Sequence, residues 1–202
     1  MASKRSTPAP APPRGRPRSL KARRAVLEAT RALIEHGGYA AATIEAISEK
    51  SGVAKTTIYR WWPNRPALVV DLLMGMAAKA VPPPAGPDPL GAVRKEMRGI
   101  AAASDHLMGR LLTSLLGEAQ HDPEIRDALL NGLFYPRSEA TGNMLRQAQE
   151  AGRLRKDIPP KCAVDLLVGP LFYRMFVRHR PLNDAFVAQV FRCVMEGLAP
   201  RD

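Results

Sequence analysis

The chain has 202 residues, 46% hydrophobic and 24% charged, with a formal net charge of +11; that suits one domain of moderate size, or two small ones sharing an interface, with a sizeable core. The charge is unevenly spread: residues 1–24 hold eight basic side chains and no acid, residues 25–80 hold six basic and five acidic, and residues 81–202 sixteen and fourteen. A basic arm on a nearly neutral body points to a polyanionic partner, nucleic acid before membrane.

Residues 1–19 open with "MASKRSTPAPAPPRGRPR", rich in Pro, Ala and Arg with almost nothing to bury, and are expected to be a disordered or polyproline-like arm. From Leu20 the pattern turns helical, with Val26, Leu27, Thr30, Leu33 and Ile34 forming one apolar stripe that Gly37-Gly38 should end. Thr43 has the character of an N-cap for a short second helix carrying Ile44 and Ile47. Ser51-Gly52 makes a tight turn, and a third helix is expected from about Ala54 to Trp62, where Pro63 stops it. Asn64 then caps a fourth helix with Leu68, Val69, Leu72, Leu73 and Met76 along one face. The segment "VPPPAGPDP", residues 81–89, cannot continue a helix and is the clearest internal boundary. Beyond it the pattern stays helical, with Asp88-Pro89, Ser104 and Asp122-Pro123 as start signals, Gly152 as a stop and Pro136 as a break. Two last helices are expected, from about Pro160 to His179 and from about Asn183 to Leu198. The reading is an all-α chain: an arm (residues 1–19), a small helical head (20–80) and a larger bundle (81–202).

The third helix carries the chemistry. Ile58 and Trp62 lie four residues apart, so they share an apolar face that should pack on the first helix. Lys55, Thr56, Thr57, Tyr59, Arg60 and Trp61 fan out on the other side. Short hydroxyl side chains let a helix approach a groove floor, Lys and Arg neutralise phosphates, and Tyr O–H and Trp N–H can donate to phosphate oxygens. A solvated face that is merely aromatic is the alternative, but a helix–turn–helix beside a basic arm favours DNA.

Residues 37–73, "GGYAAATIEAISEKSGVAKTTIYRWWPNRPALVVDLL", resemble the helix-turn-helix of TetR-like transcriptional repressors. The resemblance rests on Gly38-Tyr39 before the Thr43 cap, on Ile47 to Gly52-Val53, on Tyr59-Arg60-Trp61-Trp62, and on Asn64-Arg65-Pro66-Ala67-Leu68. "AGRLRKDIPP", residues 151–160, is similar to the segment that often precedes the last two helices of such proteins. "WWPNR" also has a faint likeness to homeodomain recognition helices, but Pro63 would break such a helix. The TetR-like resemblance implies a homodimer placing two recognition helices in successive major grooves of a double-stranded DNA operator. It implies that Lys55, Thr56 and Thr57 approach base edges or phosphates, and that Thr43, Tyr59, Trp61 and Arg65 mainly clamp phosphates.

The same resemblance implies that the bundle holds a small-molecule effector pocket and the dimer interface. Met108, Leu111, Leu112 and Leu115 on a central helix, with Phe134, Tyr135, Met144, Leu171, Phe172, Met175 and Phe176, form the expected lining, although plain core accounts for any one of them. Tyr135, Tyr173, His106 and Gln120 are the expected polar handles, so the effector should be largely apolar. Leu166, Val190, Phe191, Val194 and Leu198 are the expected dimer contacts. A DNA-binding architectural or partner-responsive factor without small-molecule control is the alternative.

Catalysis finds no support in the sequence. It has no Gly-rich phosphate loop, no GxSxG and no HExxH, and His36, His106, His121 and His179 are scattered. Cys162 and Cys193 lack metal-ligand spacing and are expected to be buried, reduced thiols. Asp165 and Arg174 interrupt the best apolar run, so a soluble, cytoplasmic protein without membrane contact, cofactor or metal is expected. The arm holds Arg14-Gly15-Arg16-Pro17, which matches the core of AT-hook segments. Glycine there would let the backbone lie in a narrow minor groove while Arg14 and Arg16 extend along it. A plainly basic, solvated tail is the other reading.

Overall fold

A computed structural model describes residues 20–200, and every regular element among them is a helix. The head comprises α1 (Leu20–Ala41), α2 (Ile44–Ser51), α3 (Lys55–Trp61) and α4 (Arg65–Ala80). Gly38 breaks the helical path of α1 with φ 69° and ψ −170°, and the turn that follows carries Tyr39 into the core. The Thr43 hydroxyl accepts from the Ala46 N–H at 3.1 Å, capping α2. Gly52 ends α2 in the left-handed region, at φ 67°. The turn to α3 is tied by the Ser48 hydroxyl, which donates to the Val53 carbonyl at 2.9 Å. Asn64 caps α4, its side-chain oxygen accepting from the Ala67 N–H at 2.9 Å.

The body follows as α5 (Pro89–Ala103), α6 (Leu107–Glu118), α7 (Pro123–Leu129), a π-helical turn (Leu130–Phe134), α8 (Tyr135–Glu150), α9 (Pro160–Val177) and α10 (Asp184–Gly197). The π turn stands where Pro136 was expected to break a helix. Proline has no N–H to continue the α register, and the Tyr135 N–H just before it reaches back to the Leu130 carbonyl. Two start and stop expectations need correction. Ser104 does not begin a helix; it ends α5, its hydroxyl donating back to the Ala101 carbonyl at 2.7 Å, and α6 starts after His106. The third helix ends at Trp61, and Trp62 is already extended, with φ −131° and ψ 119°. A further correction concerns the thiols: Cys162 and Cys193 are both exposed, on the outer faces of α9 and α10.

The buried side chains form two cores, and the first does not stop at residue 80. One joins Val26, Ile34, Ile47, Ile58 and Trp62 of the head through Leu68, Val69 and Leu73 of α4 to Leu111, Leu115, Ile125 and Leu129 of the body. The other unites α5, α8, α9 and α10 around Val93, Met97, Leu145, Leu167 and Val187. Helix α4 is therefore a shared beam: one end is capped beside α3 and the other meets the bundle. Gly132 of the π turn rests against it so closely that a Cβ there would lie 2.9 Å from Val70 Cγ1 and 3.2 Å from Met74 Sδ.

Candidate functional site

The head holds α3 from beneath and leaves its outer side open. Ile58 is completely buried and Trp62 nearly so. The Trp62 indole N–H donates to the Asp71 carboxylate of α4 at 2.9 Å, and Arg23 of α1 pairs with the same carboxylate. The Arg23 guanidinium also lies over both indole rings, 5.9 Å from Trp61 and 5.8 Å from Trp62. One acid thus gathers α1, the end of α3 and α4. Lys55, Thr56, Tyr59 and Arg60 remain exposed on the opposite side. Lys55 is engaged by Glu45 of α2 at 2.6 Å, and that hydrogen bond holds the Glu45 carboxyl below its usual range. A surface of hydroxyls, a phenol, a lysine and an arginine on one short helix can approach a groove and meet phosphates.

A second site lies inside the body. A cavity of about 300 Å³ opens between the C-terminal half of α4, α5, α6, the π turn, α8 and α9. Its walls are largely apolar, with Leu73, Ala77, Met108, Leu112, Phe134 and Phe172 among them. The Phe134 and Phe172 rings pack with centroids 5.7 Å apart. Buried polar groups interrupt this wall. Glu96 of α5 is only 6% exposed, accepts from Arg137 Nη2 at 3.1 Å and from the Thr141 hydroxyl at 2.7 Å. Arg137 Nη2 also donates to the Val81 carbonyl, at the C-terminal end of α4, at 2.7 Å. Burial raises the Glu96 carboxyl, while the bonds from Thr141 and Arg137 oppose that rise.

Residues 82–194 match the family model described as "Tetracyclin repressor-like, C-terminal domain", and residues 26–72 match that of "Bacterial regulatory proteins, tetR family". The crystal structure of TetR family transcription regulator SCO0332 is 30% identical, superposes with a TM-score of 0.75, and pairs 89% of this chain with all of that one. The chain belongs to the TetR family. Among curated relatives, the uncharacterized HTH-type transcriptional regulator YdeS of Bacillus subtilis (strain 168) is 28% identical over 185 residues, covering 92% of this chain and 93% of its own. Thermus thermophilus FadR, a TetR-family repressor solved in complex with lauroyl-CoA, shares the fold at 20% identity and a TM-score of 0.69, over 89% of this chain and 96% of that one. The all-α architecture with an N-terminal helix-turn-helix is thus that of the TetR family, and the chain is a DNA-binding transcriptional regulator.

Against the TetR-family expectations, the structure places the residues expected to meet DNA unequally. Thr56 and Tyr59 are exposed, Thr57 and Thr43 are half-buried, and Thr43 spends its hydroxyl on the α2 cap. Arg65 lies over the Tyr39 ring, 4.1 Å from its centroid. Trp61 is half-buried against the head core, its ring 6.1 Å from that of Trp62. Arg60 takes the more open position and has no ion-pair or hydrogen-bond partner among the described residues; its spacing four residues after Thr56 was the available signal. Arg14 and Arg16 lie outside the described residues.

The inner cavity departs from the expected lining in a regular way. Met108, Leu112, Phe134, Tyr135, Phe172 and Met175 line it. Leu111, Leu115 and Leu171 do not; they are packed solid in the two cores. Met144 packs on the second core away from the cavity, and Phe176 faces outward at 47% exposure. The expected polar handles also change. Tyr173, His106 and Gln120 lie on the surface, and the polar wall is Glu96, Arg137, Ser138, Thr141 and Asp165 with Tyr135. Glu96 was legible in principle, since it falls on the same face of α5 as Val93, Met97 and Ile100. Val190 and Leu198 are buried within the chain's own core. No helix among the described residues is long and apolar enough to cross a membrane.

Proposed function

We propose that the chain is a dimeric repressor that leaves a palindromic operator when a small, largely apolar molecule fills the inner cavity. The observation that carries this reading is the double role of α4. Its last turns contribute Leu73, Ala77 and Val81 to the cavity wall, while its first turn holds Asn64 and Arg65 beside the end of α3. A molecule that reshapes the wall tilts the beam and moves α3 with it. A dimer reads half-sites at fixed separation, so a small change in spacing weakens both groove contacts together. On the DNA side, Lys55, Thr56, Thr57, Tyr59 and Arg60 supply the contacts, with Thr43 and Arg65 flanking them.

The second copy docks on the outer face of α9 and α10. Leu166, Tyr173, Phe176 and Val177 are exposed along α9 at helical spacing, with Phe191 and Val194 half-exposed on α10. Apolar side chains in such a row, on the two C-terminal helices, suit packing against their own symmetry mates. The space left inside the body favours small-molecule control over the architectural reading, which would be served by a filled core. The lauroyl-CoA complex of Thermus thermophilus FadR supports the same view, since that fold accommodates an acyl ligand. Sedimentation velocity with mobility shift on genomic fragments tests the reading: the expected result is a dimer that selects a short palindrome. A monomer at working concentration with undiminished operator affinity would end it.

A further inference from the structure

The cavity wall carries more information than its apolar character. Of the residues that line it, three are charged: Glu96, Arg137 and Asp165. Arg137 is the lone cation of that lining and is paired with Glu96, giving Nη2 to both the Glu96 carboxylate and the Val81 carbonyl. Glu96 is equally occupied, with Arg137 on one oxygen and Thr141 on the other. Asp165 has no ion pair or hydrogen bond among the described residues. It is exposed, as is Tyr135 at 59%, so these two mark where the cavity meets solvent. Behind them stand the paired rings of Phe134 and Phe172.

We infer that the cavity selects lipophilic organic cations, molecules with an apolar or aromatic body and one protonated amine or quaternary ammonium. This deepens the proposed ligand site and rests on it. A carboxylate ligand would add a negative charge to a lining that already sets two carboxylates against one guanidinium. A cation instead meets the unpaired Asp165 carboxylate at the mouth and the negative faces of Tyr135, Phe134 and Phe172. Its apolar body displaces only poorly held water from Leu73, Ala77, Met108 and Leu112. The volume of about 300 Å³ lies at the lower end for small-molecule sites, which suits a single ring with a short chain.

Three probes with one apolar body separate the alternatives: phenylbutylamine, phenylbutanol and phenylbutyrate, titrated calorimetrically into the full-length protein near neutral pH. The amine should bind roughly tenfold more tightly than the alcohol, a margin within reach of one ion pair with ring contacts, and the carboxylate should bind most weakly. Asp165→Asn should bring the amine down to the level of the alcohol and leave the alcohol unchanged. Val168→Phe, which narrows the same cavity, should weaken all three. Equal affinity for amine and alcohol, or tightest binding of the carboxylate, overturns the inference while leaving a ligand site in place. Binding untouched by Val168→Phe puts the probes elsewhere and also overturns it. No binding of any probe to the wild-type chain tells against the ligand site itself.

Discussion

The head and the bundle use polar side chains in opposite ways. In the head the core is filled and the chemistry faces out: Ile58 and Trp62 are buried beneath α3, while Lys55, Thr56, Tyr59 and Arg60 lie on its surface. In the bundle the polar groups face in, and the core is left incomplete around them: Glu96, Arg137 and Thr141 form a buried set on the wall of a cavity. The two ion pairs condense the contrast. Lys55–Glu45 stands in solvent and can be exchanged for another anion at small cost, whereas Glu96 in Arg137–Glu96 is 5% exposed at the side chain and depends on its partner. A surface that must engage and release a polyanion is built from the first kind. A wall that must keep its shape around an open space is built from the second.

The largest effect should come from removing the head's support. Trp62→Ala deletes a buried indole and its bond to Asp71, and should destabilise the chain by about 3–5 kcal/mol in denaturant unfolding. If it proves neutral while Arg60→Ala is severe, the inside and outside of α3 have been exchanged. Next is Arg137→Ala, which leaves Glu96 buried without its cation. About 3 kcal/mol is expected, the low end for a broken buried pair because Arg137 is itself 20% exposed.

The two acids sharpen the comparison through pH. Burial raises the Glu96 carboxyl above 4.5, so the folded chain binds that proton more readily than the unfolded one. Wild-type stability should therefore fall relative to Glu96→Gln as pH climbs from about 4.5 through the raised value. Glu45 has the opposite sign. Its carboxyl is held below 4.5 by the Lys55 hydrogen bond, so the contribution of that pair is present above 4.5 and lost as pH falls through the lowered value. Unfolding curves for Glu96→Gln and Glu45→Gln against wild type should diverge in opposite directions, and parallel divergence would erase the distinction.

On the DNA side, Arg60→Ala should leave the melting temperature unchanged and weaken binding. It should also lower the slope of log affinity against log salt by about one unit, as for one lost phosphate contact. The arm acts on the same salt dependence. Deleting residues 1–18 should flatten the salt dependence further. Arg16→Ala should abolish any preference for A·T-rich flanks beside the palindrome, and equal affinity for both flanks in the full-length protein would leave Arg14 and Arg16 as a plain electrostatic tether.

The head was largely legible in the sequence because its logic is local. Thr43 and Asn64 cap the helices that follow them three residues on, and Ile58 and Trp62 fall on one side through spacing alone. The burial of Trp61 was less legible because it depends on Arg23, thirty-eight positions away, whose guanidinium lies over both indoles. The bundle was legible as helices and opaque as a site. Leu111, Leu112 and Leu115 are chemically alike and close in sequence, yet Leu112 lines the cavity while Leu111 and Leu115 are sealed by neighbours. That difference lies in the gap between helices, which no pattern along one helix records. Cys162 and Cys193 show the same limit, since helical outer faces expose them despite the usual preference of free thiols for the interior.

Gly132 gives the π turn a mechanical meaning. Leu130, Leu133 and Phe134 line the cavity, while the glycine between them touches Val70 and Met74 on α4. The five-residue turn therefore works as a follower riding on a shaft, with its clearance set by a carbon atom that is absent. A methyl group at that point would act as a shim 2.9 Å from Val70 Cγ1 and 3.2 Å from Met74 Sδ, and those side chains would have to give way. Gly132→Ala would thus tighten the seat of the turn on α4 permanently, and in the proposed switch it would stand in for an occupant.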